Sequence, residues 1–198
     1  MRTRNMIRHA TLAVLALALL TGAARAGDHP HERRGLVLGL NVGPASGGLE
    51  YDRFGSTIER DLEDGSGGAV RLGWGVSDQV VLAVEGRGFQ MEEGTEKAEF
   101  GMALVSVTWH PGGGGFFLRT GVGRGFTTLA LDAPDSADWD ERESPAALLG
   151  LGYEWRLGRQ FALGVALEAY GTELDDLPTF QNTNLGVGLA SVQLQWYL

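Results

Sequence analysis

The 198-residue chain has no cysteine, fewer basic than acidic residues and no long hydrophobic run, and each shortage excludes a class of protein. Without cysteine there is neither a disulfide framework nor a lipid-attachment site. A formal net charge of −9 argues against binding to nucleic acid, because phosphate recognition needs a basic patch. The apolar stretch at residues 10–20 has about half of the roughly 20 residues that a membrane-spanning helix requires.

The first 26 residues have the three parts of a secretory signal peptide: a basic start, a short apolar core and the small-x-small cleavage site Ala24-Arg25-Ala26. We predict cleavage after Ala26, a short polar leader over residues 27–34 and one barrel domain over residues 35–198. An uncleaved anchor helix is disfavoured because the core is short. Cleavage would also expose Gly27-Asp28-His29, which can wrap Cu²⁺ or Ni²⁺, although a polar leader without this role is the simpler interpretation.

Beyond the leader, apolar residues alternate with small or polar ones at a period of two, which is the pattern of β-strands. In the first such segment Leu36, Leu38 and Leu40 share one face, and Gly39 and Asn41 share the other. Eight segments follow this pattern: residues 36–42, 70–76, 80–87, 103–110, 116–123, 147–156, 161–170 and 190–198. Their lengths approach the 9–11 residues that a tilted strand needs to cross a bilayer.

An even number of strands with one apolar face predicts an all-β fold, an eight-stranded antiparallel up-and-down transmembrane β-barrel. The interior of such a barrel is only just wide enough for side chains. Gly, Ala and Ser fit this space, whereas eight rows of Leu, Val, Phe and Trp would crowd it. We therefore expect the apolar faces to contact lipid. Closure of the barrel leaves no unpaired strand edge, as a bilayer demands.

The connections between the strands alternate between long and short. The long ones are residues 44–66, 92–98, 127–145 and 172–183, and the short ones are residues 77–79, 111–115 and 158–159. Long external loops and short periplasmic turns are typical of outer-membrane barrels. Five aromatic residues beside the short turns or the C-terminus predict a girdle at the periplasmic interface: Trp109, Phe116, Trp155, Phe161 and Trp196.

Segments 73–78, 110–112 and 115–123 resemble the small eight-stranded outer-membrane barrels of the OmpA/OmpX type, the outer-membrane β-barrel domain family. The last strand, residues 192–198, is similar to the family's signal for the barrel-insertion machinery, although that signal usually ends in Phe and this chain ends in Leu198. The resemblance implies a monomer in the bacterial outer membrane, in contact with its lipids. These motifs are architectural and carry little information about function.

The sequence offers few candidates for catalysis. Barrels of this type that deacylate lipid A use a Ser/His/acid set facing the membrane, and the corresponding candidates here are Ser106, Thr108 and His110. Their parity on the strand puts them inside the barrel, where they are simply polar lumen residues. We therefore predict that the protein is not an enzyme and assign no catalytic residue and no cofactor.

Most of the 25 acidic residues fall in the four long connections. The first connection alone contains Glu50, Asp52, Glu59, Asp61, Glu63 and Asp64. One interpretation is solubility, and the other is weak binding of Ca²⁺ or Mg²⁺ by carboxylate oxygens. We assign no metal site, because Asp138-Trp139-Asp140 lacks the rest of an EF-hand loop.

The predicted function is structural or surface-interacting, through the acidic external loops. A narrow pore for small solutes and a lipid-modifying enzyme are the alternatives. Seven charged residues should point into the lumen and pair across it: Arg71, Glu85, Arg87, Arg119, Glu154, Arg156 and Glu168. Such pairs would block a continuous water path, while Arg156 is expected to stay hydrated beside its turn.

Overall fold

A computed structural model describes residues 32–93, 96–130, 139–174 and 181–198. The strands are β1 (Gly35–Arg53), β2 (Ser56–Gly75), β3 (Val80–Glu93), β4 (Glu96–Trp109), β5 (Phe116–Ala130), β6 (Trp139–Arg156), β7 (Phe161–Leu174) and β8 (Gln181–Tyr197). Each strand pairs antiparallel with the next, and β1 pairs with β8 to close the barrel. The predicted fold class is therefore confirmed.

The closure between β1 and β8 runs along most of both strands. Val37 is the partner of Tyr197, and Glu50 is the partner of Asn184 at the other end. At the start of β1 the backbone of Leu36 exchanges two hydrogen bonds with that of Leu198, at 3.1 and 2.8 Å. No strand edge faces the bilayer at this seam, which satisfies the backbone where water is absent.

The predicted orientation of the strand faces is also confirmed. The apolar face predicted for each of the eight segments points away from the lumen, and several of its side chains are more than half exposed, including Trp74, Val105 and Val122. Their neighbours along each strand are buried inside the barrel. Exposed apolar side chains around a whole barrel form a belt that is stable only against lipid.

The structure contradicts the prediction that residues 44–66, 92–98, 127–145 and 172–183 are long connections, because strands run into all four. Residues 44–66 form the upper parts of β1 and β2, joined by a two-residue turn at Phe54-Gly55, and strands also extend into the connections predicted at 92–98, 127–145 and 172–183. The alternation persists there, but its inward set changes from polar to apolar. Because the outer wall now faces water, the apolar residues belong inside.

The short turns lie where the sequence predicted them. Ser77 caps the first with its hydroxyl, which accepts a hydrogen bond from the backbone of Val80 at 3.1 Å. The second contains a short 3₁₀ turn in which Gly112 and Gly113 have positive φ angles. The predicted aromatic girdle lies beside these turns, and the rings of Phe161 and Trp196 contact each other there. Among the described residues, no helix is long and apolar enough to cross a membrane.

Candidate functional site

Five charged side chains fill the middle of the lumen. Glu85 accepts hydrogen bonds from the Nε atoms of Arg71, at 2.8 Å, and Arg87, at 3.0 Å. Glu168 accepts hydrogen bonds from Arg87 Nη2, at 2.7 Å, and Arg119 Nη1, at 2.6 Å. All five side chains are buried. Two carboxylates thus bridge three guanidinium groups from different strands, and the predicted pairing across the barrel is confirmed.

Polar neutral residues complete this lumen ion-pair network. The Ser106 hydroxyl donates to Glu85 Oε1 at 2.5 Å, and Thr108 accepts a hydrogen bond from Arg119 Nε at 3.1 Å. Asn41, which the sequence did not identify as part of the network, donates to Glu168 Oε2 at 2.7 Å. The hydroxyl candidates for catalysis therefore face the lumen, as predicted, and serve as partners of the charged groups.

Arg33 closes the periplasmic end of the barrel. This residue belongs to the segment predicted as a polar leader, yet its side chain is fully buried. Its guanidinium donates to Glu154 Oε1 at 2.7 and 2.9 Å and to the backbone carbonyls of Asp78, at 2.8 Å, and Gly114, at 2.7 Å. Tyr197 donates its hydroxyl to the other oxygen of Glu154 at 2.8 Å. Arg33 therefore ties two turns and β6 together across the opening.

Arg156 completes a periplasmic cluster with Arg33, Glu154 and Tyr197. It is buried, so the expectation that it stays hydrated was wrong. Its guanidinium donates to the backbone carbonyls of Glu32, at 2.6 Å, and Arg159, at 3.2 Å. The group also lies over the Tyr197 ring, 3.7 Å from the centroid. The backbone of Glu32, at the start of the described chain, therefore lies beside this arginine at the periplasmic end. His110 is buried nearby, with its ring 5.7 Å from that of Phe117.

An apolar cluster fills the lumen above the lumen ion-pair network, on the side away from the short turns. Its larger members are Leu49, Phe89, Met91, Phe100, Met102, Leu104, Leu148, Tyr170, Leu174, Leu185, Val187 and Leu189. Phe100 and Tyr170 stack with their ring centroids 6.0 Å apart. The described lumen therefore has three filled layers: the periplasmic cluster, the lumen ion-pair network and this external core.

The β1–β2 hairpin is built from the two longest strands of the described chain. At its tip the Phe54 ring is 88% exposed, and both Phe54 and Gly55 have positive φ angles. Below the tip, Asp52 accepts hydrogen bonds from Asn182 at 3.0 Å and Thr57 at 2.7 Å. These bonds, from Asn182 first and Thr57 second, hold the pKa of Asp52 below its usual value and link the hairpin to β8.

The described residues contain no group of three or more His, Asp or Glu side chains arranged to hold a metal ion. Among the described acids of the hairpin, Glu50 and Glu59 are register partners on its outer face, and Asp52 is held by Thr57 and Asn182. Weak binding of divalent cations by the acidic end stays a prediction. The cleavage site, the Gly27-Asp28-His29 motif and the Asp138 segment lie outside the described residues.

Comparison with known proteins agrees with this architecture. No family model and no curated protein matches the sequence. Among solved structures, neisserial surface protein A is similar, with a TM-score of 0.55 and 11% identity over 83% of this chain and 97% of that one. The attachment invasion locus protein Ail of Yersinia pestis is similar with a TM-score of 0.51 and 11% identity, over 82% of this chain and 99% of that one.

This chain has the fold of the small eight-stranded outer-membrane barrels. Identity this low extends the likeness to the fold alone. The lipid-facing belt and the girdle at the short turns come from the chain's own residues, and with the fold they put this small outer-membrane barrel in a bacterial outer membrane. The lumen and the β1–β2 hairpin are two places of the described chain where its function can lie.

Proposed function

We propose that this small outer-membrane barrel is a closed, non-enzymatic anchor that presents an acidic hairpin at the cell surface to a cationic partner. The β1–β2 hairpin carries the proposal. It is one continuous two-stranded ribbon, and its link to β8 through Asp52 and Asn182 holds it in a defined position. A preorganised element loses less conformational freedom on binding than a flexible loop does.

The charge of the hairpin favours a cationic partner. Residues 50–64 contain six acidic and two basic residues. The exposed Phe54 ring at the tip adds an apolar contact of the kind that anchors protein interfaces. A cationic surface with an apolar recess complements both features, whereas a polyanion would be repelled.

The binding test uses full-length mature protein in nanodiscs of phosphatidylcholine, titrated calorimetrically with poly-lysine and, separately, with heparin. We expect salt-dependent binding of poly-lysine and none of heparin. The double variant Glu50→Gln/Glu59→Gln should weaken poly-lysine binding about fivefold, as expected for two exposed charge contacts. Glu173→Gln, an exposed acid on β7, is the matched control and should bind like the wild type.

Equal loss in the control variant would mean that overall charge, rather than the hairpin, attracts the probe. Binding of heparin as strong as that of poly-lysine would contradict the proposed partner class. Either result would overturn the proposed function.

The three filled layers of the lumen support the closed anchor over the pore alternative. Single-channel recording on refolded protein, beside Glu85→Ala and Glu168→Ala, tests this point. We expect no stable conductance from the wild type. A large, steady wild-type conductance would replace the closed anchor with a pore for small solutes.

A further inference from the structure

A groove crosses the outside of the barrel wall over β2, β3, β4 and β5. Its floor is a row of three glycines, since Gly68 is the register partner of Gly88 and Gly88 of Gly101. Three adjacent strands without side chains at one level leave a hollow of about 650 Å³. That size falls within the range of small-molecule binding sites.

The glycine floor is bordered by a polar row above it and by an aromatic ring at one end. Above the glycines runs a polar row in which Gln90 is the partner of both Ser66 and Glu99, and Glu99 is the partner of Thr128. The partner of Gly101 on β5 is Phe126, whose ring is partly exposed at the end of the row. An amide, a carboxylate and two hydroxyls beside an aromatic ring suit a sugar, which offers hydroxyls at its edge and C–H groups on its face.

The height of the groove on the barrel wall indicates which layer of the membrane lies beside it. Gly101 lies eight residues above Trp109 of the periplasmic girdle on β4. At a rise of about 3.4 Å per residue and a tilt of 35–45°, that separation is about 20 Å along the membrane normal. The apolar band of an outer-membrane barrel is about 25 Å tall. The groove therefore lies at the outer edge of the band, beside the headgroups of the outer leaflet.

Arg124 adds a cation just below the glycine floor of the groove. It points outward on β5, one outward position below Phe126, and its register partner is the small residue Ala103. An exposed guanidinium at the headgroup level is suited to bidentate binding of phosphate.

We propose that this groove binds the phosphorylated sugar headgroup of an outer-leaflet glycolipid, with the sugar on the glycine floor against Phe126 and a phosphate on Arg124. A glycerophospholipid headgroup would use Arg124 but would leave the polar row unoccupied. The inference is independent of the hairpin, because none of the groove residues belongs to the hairpin tip.

The glycines allow a clean test. A Cβ added at Gly88 would meet nothing within 4 Å, and the same holds for Gly186. Gly186 lines a second hollow over β6, β7 and β8 that has no comparable polar rim. Gly88→Leu therefore fills the proposed site, and Gly186→Leu is the matched control. Gly101→Leu is a second filling variant, since its added Cβ would meet only ordinary contacts.

The measurement is native mass spectrometry of the mature, refolded protein in detergent with lipopolysaccharide as the probe, competed with phosphatidylglycerol. We expect one retained glycolipid per wild-type barrel, about tenfold weaker binding in Gly88→Leu and Arg124→Gln, and wild-type binding in Gly186→Leu. A thermal unfolding scan of each variant checks that the barrel is folded.

Wild-type binding by both filling variants would overturn the proposal. So would equal competition by phosphatidylglycerol, because the site would then recognise a phosphate without the sugar. Loss of binding in Gly186→Leu as large as in Gly88→Leu would show that any bulky group on the wall removes lipid, which would also overturn it.

Discussion

Side chains alternate between the lumen and the outer face in both halves of the barrel wall, but the apolar residues lie on opposite faces in the two halves. In the half next to the short turns, the membrane half, the lumen is mainly polar and the outer face is apolar. In the external half, the lumen is apolar and the outer face is small or polar. β8 contains both arrangements: Val192 and Trp196 point outward, whereas Leu185 and Leu189 point inward.

The difference follows from the medium outside the wall. Lipid accepts apolar side chains at no cost, so the membrane half can put charge and hydroxyls inside, provided that they pair. Water outside the external half drives apolar side chains into the lumen. The point along each strand where the apolar residues move from the outer face to the lumen therefore marks the outer edge of the membrane. It lies near Ala103 on β4 and Ala190 on β8. Four predictions test the contrast between the two halves, from the largest expected effect to the smallest.

Removing a central carboxylate should harm the membrane half most. Glu168→Ala leaves Arg87 and Arg119 without their shared acceptor in a buried site. We expect the free energy of unfolding to fall by about 4–5 kcal/mol, because an uncompensated buried charge remains. Urea unfolding in phospholipid vesicles measures this. Glu173→Ala, exposed on the same strand, should change it by less than about 0.5 kcal/mol.

Truncating the external core should cost somewhat less. Phe100→Ala removes a buried ring that stacks on Tyr170, and we expect a loss of about 3–4 kcal/mol from the cavity that remains. Val122→Ala on the lipid face is the control, and its loss should be under about 1.5 kcal/mol. Similar losses in the two variants by urea unfolding would contradict an apolar interior in the external half.

A single lysine scanned over the outer face should locate the membrane edge. Val105→Lys puts a charge against lipid and should cost about 2–3 kcal/mol. Gln90→Lys puts the same charge on the outer face of the external half, with an expected change within about 0.5 kcal/mol. The comparison is made on unfolding free energies in vesicles of one lipid composition. Equal costs would mean that lipid covers both positions.

The hairpin tip should show the smallest change, and in the opposite direction. Phe54 has a φ of 50°, a left-handed conformation that Asn adopts more easily than Phe does. Phe54→Asn is therefore expected to raise the unfolding free energy by about 0.5–1 kcal/mol. A decrease would mean that contacts of the ring outweigh the backbone strain.

Much of the membrane half could be predicted from the sequence. A period of two, with apolar residues on one face and Gly, Ser or charge on the other, predicts a strand. It also predicts which face contacts lipid, because the interior is too narrow for large side chains. The same alternation predicted which charged residues point into the lumen. The ion-pair partners of these charged residues could not be predicted. Glu168 meets Arg119 only because both are aligned with the same residue of β6, which pairs with β5 on one side and β7 on the other.

The external half could not be predicted in this way. Its glycines and acids resemble a loop sequence, and its inward apolar residues are out of phase with the lipid-facing ones. The groove over Gly68, Gly88 and Gly101 has no sequence signal either, because these residues come together only by strand register.

By itself, the sequence determined the eight strands of the membrane half, the face each turns to lipid and the girdle at the short turns, because alternation is a local property of a strand. The tertiary structure alone decided how far the strands continue, which charges pair and how the periplasmic end is closed. Arg33 reaches Glu154, 121 positions away, and the backbone of Asp78, 45 positions away. No local pattern encodes such contacts, since they exist only after the barrel has closed.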